Sequence, residues 1–238
     1  MINTVFFDLG NTLLWNSHTI SIESAVHALA GEIISLGYPV SAEKLSEKYF
    51  AKLSDYYRRR DIDYLETDVH GILTESLKDS GVAEISKENM DKGLDAFYAM
   101  TQKNWHLTDQ AENILEQLKK RGLKLGIITN ASSSRDVYSL LENHHLKPFF
   151  QSVTISSAAG YRKPRKEIFD MALSKMNSLP GESAMVGDSI SADITGANRS
   201  GLLSIWFSQY STEKPEDFPE SSRPQKTIHC ISELPEVL

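Results

Sequence analysis

The chain has 238 residues, 40% hydrophobic and 24% charged, an ordinary globular composition with length for one large or two modest domains. Its net charge of −7, from 25 Lys+Arg against 32 Asp+Glu, offers no general attraction for nucleic acid or an anionic membrane, so any anion site must be local. One cysteine, Cys230, excludes an intrachain disulfide. With no signal peptide and no long apolar run, a cytoplasmic protein without a membrane span is expected.

Val5, Phe6 and Phe7 form a continuous apolar run, as expected of a strand buried on both faces of a parallel sheet, and Asp8 sits where that strand should end. After Leu14 the pattern turns helical for about ninety residues. Ile22, Val26, Leu29, Ile33 and Leu36 make one apolar stripe, stopped by Gly37-Tyr38-Pro39. Ser41 can cap a second helix carrying Leu45, Tyr49 and Leu53. Leu65, Val69, Ile72 and Leu77 mark a third, and Ser86 can cap a fourth with Met90, Leu94, Phe97 and Thr101 in line. Four amphipathic helices joined by short turns read as a small bundle, with most of Tyr49, Phe50, Tyr56, Tyr57, Phe97 and Tyr98 in its core. The Arg58-Arg59-Arg60 run reads as a solvated helix end.

The α/β pattern resumes near residue 108, with Thr108 as a candidate cap, Asp109 and Glu112 in the first turn and Gly122 past the end. Strands at 124–129, 152–155, 183–187 and 202–207 alternate with helices at 134–144, 165–177 and 190–200. Pro164 is expected at the first position of the helix it precedes. Residues 211–224 read as loop, 227–231 as an edge strand and 232–238 as a terminal helix. Alternating β and α elements imply a doubly wound parallel sheet, whose ligands bind outside the carboxyl ends of the strands. On that edge Asp8, Thr129, Lys163 and Asp188 would converge from across the chain. Singly, each has an ordinary explanation: a β-residue, a surface lysine, a turn-former.

Four motifs occur in order: Phe7-Asp8 followed by Thr12-Leu13, Ile127-Ile128-Thr129-Asn130, Arg162-Lys163-Pro164, and Gly187-Asp188 followed by Asp193. Together they resemble the haloacid dehalogenase (HAD) superfamily of hydrolases over the whole chain. The resemblance implies a Rossmann-like core at 1–14 and 106–238 and a helical cap at 15–105 that shields the site and chooses the substrate. It implies a Mg²⁺-dependent phosphatase, a monomer or homodimer acting on a small phosphorylated metabolite. Asp8 would be the nucleophile. Asp8, the Gly10 carbonyl and Asp188 would be metal ligands. Thr129, Asn130 and Lys163 would contact phosphate, with Thr129 and Lys163 aiding catalysis. Asp193 would orient Lys163 or metal-bound water.

One position departs from the pattern. The family's phosphatases usually carry a second aspartate two residues after the nucleophile, as general acid, and here Gly10 stands there. The missing acid costs most with poor leaving groups. A sugar-1-phosphate or acyl phosphate substrate, or a proton from His18 or His106, would accommodate it. Two other readings remain: a metal-free 2-haloacid dehalogenase, whose relatives typically lose the carboxylate here kept at Asp188, and a non-catalytic binding protein.

Overall fold

A computed structural model describes residues 1–66 and 68–238, with Asp61 described through its backbone alone. The chain divides into two compact units, Met1–Asn16 with His106–Leu238, and Ser17–Trp105.

The first unit is built on six parallel strands: β1 (Thr4–Phe7), β4 (Lys124–Thr129), β5 (Ser152–Ile155), β6 (Ser183–Gly187), β7 (Leu203–Phe207) and β8 (Lys226–Ile228). Two further short strands, β2 (Leu14–Asn16) and β3 (Trp105–Leu107), pair with each other in a separate sheet that the sequence pattern did not signal. The main sheet runs β5-β4-β1-β6-β7-β8, every pairing parallel. Chain order therefore reverses between β1 and β6, the switch point at which open α/β sheets place their ligands. Register puts Phe7 beside both Ile127 and Val186, so Asp8 emerges between two strand ends.

Thr4 to Phe7 are all buried because successive side chains point to opposite covered faces. On one face Phe6, Ile128 and Met185 pack with α8 (Lys166–Met176) and α9 (Thr195–Ser200) through Phe169, Leu173 and Ala197. Phe7 points the other way and meets Phe150 edge-on, ring centroids 6.2 Å apart. The remaining helices of this unit are α5 (Ala111–Lys120), α6 (Ser134–Asn143), the single turn α7 (Ser156–Ala159) and α10 (Leu234–Val237).

The second unit holds α1 (Ile22–Ser35), α2 (Ala42–Asp63), α3 (Val69–Asp79) and α4 (Lys87–Thr101). Ser41 and Ser86 accept backbone N–H bonds at the starts of α2 and α4. Val26, Leu29, Ile33, Leu45, Leu73, Leu77, Met90 and Leu94 form one apolar core, joined by Tyr49, Tyr56, Phe97 and Tyr98. Phe50 and Tyr57 are exposed. Arg60 lies over the Tyr57 ring at 4.0 Å, so this part of the arginine run covers aromatic surface besides facing water.

Several local expectations change. Ile22, the first residue of α1, and Leu65, which lies before α3, are both exposed, and Asp68 caps α3. Thr108 does not cap α5: its hydroxyl donates to the Thr12 carbonyl at 2.8 Å, and Gln110, with φ 65°, begins that helix. Pro164 does not open α8. The Lys163–Pro164 peptide is cis, and Arg165 N donates to Arg162 O at 2.9 Å, closing a turn before the helix. The segment 190–200 opens with one π-helical turn, Ile190–Ile194, ahead of α9.

A Cβ at Gly196 would collide with the Phe169 ring and lie 3.1 Å from the Pro164 Cα, because α9 approaches α8 closely there. Gly196→Ala is expected to cost about 1–3 kcal/mol by overpacking, read as a lower urea midpoint with unchanged slope. An unchanged midpoint would show that the helices part without cost.

Candidate active site

Asp8 follows the last residue of β1, and its N–H is fixed by the Val186 carbonyl at 2.9 Å. The turn after it is held by Leu13 N and Leu14 N donating to Leu9 O, at 3.0 and 2.9 Å, with Asn11 in the left-handed conformation at φ 54°. Gly10 pairs with Leu14 through Leu14 N to Leu9 O and Asn11 N to Leu14 O, a bridge that uses neither the N–H nor the carbonyl of Gly10 itself.

Lys163 is 2% exposed, and its ammonium is enclosed by three oxygens. Nζ donates to Asp8 Oδ1 and to the Ile128 carbonyl, both at 2.6 Å, and pairs with Asp193 Oδ1 at 2.6 Å. Two of its three donors are thus spent on hydrogen bonds, and the contact with Asp193 is an ion pair. The backbone of Lys163 is clamped too. Asn130 accepts from Lys163 N at 2.8 Å and donates to Lys163 O at 3.1 Å. Both ends of the Asn130 amide are therefore engaged on the lysine. Thr129, last in β4, is buried beside this pair.

Asp193 lies in the π-helical turn, 1% exposed, and its Oδ2 accepts from Ser189 N at 3.1 Å. A Cβ at position 187 would overlap the Asp193 carboxylate, so glycine at the end of β6 makes room for it. Asp188 follows β6, and its carbonyl accepts from the Trp206 indole at 2.8 Å, a partner nothing in the sequence pattern marked. Carboxylate oxygens of Asp8, Asp188 and Asp193 all lie within 4.8 Å of one another. The structure thus gathers Asp8, Lys163, Asp188 and Asp193 at the switch point. His106 is exposed, with its ring 4.7 Å from Trp15, and His18 is exposed in the other unit.

A family model of haloacid dehalogenase-like hydrolases matches residues 2–201. The chain belongs to this family. It is 30% identical to glyceraldehyde 3-phosphate phosphatase of Methanothermobacter thermautotrophicus over 245 residues, covering 100% of both chains. Its fold is like that of a HAD phosphatase from Thermococcus onnurineus, with TM-score 0.64 and 22% identity over 99% of this chain and 97% of that one. It is also like a 2-haloacid dehalogenase from Pseudomonas syringae, with TM-score 0.73 and 26% identity over 100% and 98%.

The charge balance of this HAD site tests whether a divalent cation fits it. Three clustered carboxylates face one ammonium. Burial pushes the Asp188 carboxyl up to about 8, with Asp8 and Asp193 adding to the rise. Burial likewise pushes Asp193 up to about 6, against the pull of Lys163. Burial alone would lower Lys163, but Asp193 and Asp8 hold it above its usual value. A site that takes up a proton for want of positive charge, and offers only hard oxygen donors, suits a hard divalent cation such as Mg²⁺.

A carboxyl raised from 3.8 to about 8 gives stability that is full below pH 4 and lost as pH rises through 8. In EDTA, the stability of Asp188→Asn relative to wild type should rise between pH 5 and pH 8.5 by about 2 kcal/mol, roughly 5 °C in Tm. This is about half the full linkage value, allowing for relaxation around a group that keeps some solvent contact. Differential scanning fluorimetry at the two pH values decides it, and a pH-independent difference would remove the charge frustration from Asp188.

Proposed function

We propose that the chain is a Mg²⁺-dependent phosphatase acting on a small phosphorylated metabolite through an aspartyl-phosphate at Asp8. The observation that carries this reading is the buried Lys163, bonded to Asp8 and Asp193 at 2.6 Å, with Asp188 left facing them without a countercharge of its own. A lysine so placed orients the Asp8 carboxylate and offsets part of the negative charge that meets an incoming phosphate dianion.

An Asp8 oxygen bonds to phosphorus as the ester P–O bond breaks, and the leaving oxygen departs as alcohol once protonated. Water then attacks the acyl phosphate, releasing inorganic phosphate and restoring the carboxylate. Asp8, Asp188 and the Gly10 carbonyl are the proposed Mg²⁺ ligands. When bound, the ion supplies Lewis-acid stabilisation of the phosphoryl oxygens. Thr129 is the side-chain donor to phosphate. Asn130, with both amide ends on the Lys163 backbone, serves phosphate through the lysine it holds. Asp193 pairs with Lys163 at 2.6 Å and so helps set the direction of its ammonium. The helical unit is proposed as the cap that excludes water and selects substrate.

The relative in Methanothermobacter is named a phosphatase of a three-carbon phosphoester and aligns over all of this chain, which supports a compact phosphorylated metabolite as substrate. The likeness to the 2-haloacid dehalogenase keeps the dehalogenase reading in view. It has no use for the Asp188 carboxylate beside Asp8, since halide needs neither a proton nor a cation to leave.

With Gly10 in place of a general acid, turnover should depend steeply on leaving-group pKa: fast on an aryl or acyl phosphate, slow on an alkyl phosphate. Gly10→Asp is expected to speed the alkyl substrates selectively, by up to roughly 10²–10⁴-fold. Equal acceleration of good and poor leaving groups would rule out a proton-transfer role for this position. Asp8→Asn should abolish a Mg²⁺-dependent phosphatase activity, and calorimetry should show Mg²⁺ binding lost in Asp188→Ala. Full turnover by Asp8→Asn would end the aspartyl-phosphate reading. Halide release from 2-haloacids in excess EDTA would favour the dehalogenase.

A further inference from the structure

The loop after β7 carries an acid that this mechanism does not use. Glu213 stands in a segment rich in Ser, Pro and Glu, where a carboxylate would ordinarily face water. Instead its Oε2 accepts from the backbone N–H groups of Ile190 and of Ser191, the latter at 3.1 Å. Oε1 accepts from the Ser191 hydroxyl at 2.6 Å, and the Ser189 hydroxyl lies 3.4 Å from both oxygens. One side chain therefore holds three consecutive residues, 189 to 191, from more than twenty positions away. Asp188 precedes that turn directly, and Asp193 bonds back to its first N–H.

The same loop also reaches β2, the strand that follows the turn after Asp8. Tyr210 stacks on Trp15 with centroids 6.1 Å apart and planes at 23°. Trp15 lies in β2, directly after the turn that follows Asp8, and Thr108 holds that turn through its hydroxyl, which donates to Thr12 O. Residues 210–213 thus meet the turn after Asp188 through Glu213 and the strand after the Asp8 turn through Tyr210. The half-buried Glu213 carboxylate is held by N–H and O–H donors that meet its lone pairs. Those donors would be met as well by water, at a surface turn, if the turn had only to be solvated.

We propose that Glu213 is a positioning residue: by holding the turn at 189–191 it sets Asp188 against Asp8 at the spacing a divalent cation takes. The inference rests on the Mg²⁺ reading of the site. It is tested on the full chain by titrating Mg²⁺ calorimetrically into wild type, Glu213→Ala and Glu213→Gln, with melting in EDTA alongside. Glu213→Ala should bind Mg²⁺ about tenfold more weakly, as outer partners of metal ligands commonly do when removed. Glu213→Gln, whose amide oxygen can still accept from Ile190 and Ser191, should recover most of that loss. In turnover of 4-nitrophenyl phosphate, Glu213→Ala should need about tenfold more Mg²⁺ for half its maximal rate, with KM at saturating Mg²⁺ unchanged. If Glu213→Ala does not fold, Glu213→Asp, one methylene too short to reach, should show the same weakening. Wild-type Mg²⁺ affinity in Glu213→Ala or Glu213→Asp, with only a lower Tm, would reduce Glu213 to a helix cap and overturn the proposal. No Mg²⁺ uptake by wild type would overturn it together with the metal reading, whereas uptake without phosphatase activity would overturn only the function proposed above.

Discussion

The buried ammonium of Lys163 is the contact on which the rest of the site depends. Withdrawing such a charge from water costs several kcal/mol, which only close and well-directed partners offset. Here they are two carboxylates and a carbonyl, all at 2.6 Å, contributed by the ends of β1 and β4 and by the turn after β6. One side chain therefore ties three loops at the carboxyl edge of the sheet. The clamp of Asn130 on the Lys163 backbone fixes the lysine from the other end, so its direction does not rest on a flexible four-carbon stem alone.

That arrangement leaves a charge imbalance in the centre of the site. Lys163 answers Asp8 and Asp193, and Asp188 remains, with its carboxyl raised to about 8. A fold that selected for stability alone would replace Asp188 with a neutral group, since an unanswered carboxylate at this depth is a burden on the metal-free protein. Local inconsistency of this kind marks functional positions, and the proposed cation resolves it by supplying the charge that the polypeptide withholds. Gly187 belongs to the same compromise, giving up a side chain so that the Asp193 carboxylate can sit against the strand end.

The helical unit and the α/β unit show different relations between pattern and structure. In the bundle, apolar stripes at helical spacing locate the four helices, and serine caps locate two of their starts. The stripes err at their ends. Ile22, the first residue of α1, and Leu65, before α3 begins, keep the spacing but are exposed. In the α/β unit, continuous apolar runs mark strands buried on both faces, and the order of strands and helices implies the parallel sheet.

The sequence by itself determined the family, through four ordered motifs, and with it the sheet class and the identity of the acids and the lysine that meet at its edge. Those assignments rest on local chemistry: apolar runs, a polar residue where each run stops, and glycines beside them. Tertiary structure decided who pairs with whom. That Asn130 grips the Lys163 backbone, that Thr108 bonds Thr12 instead of capping α5, and that Pro164 lies in a cis turn ahead of α8 all depend on partners distant in the chain or on turn geometry. Glu213 is the extreme case. Its position in a polar loop gives no signal, and its four donors come from a turn more than twenty residues away, which only the packed sheet brings within reach. Short-range patterns report what a residue can do. Long-range contacts report what it does, because hydrogen bonds and ion pairs form over a few ångströms in space whatever their separation in sequence.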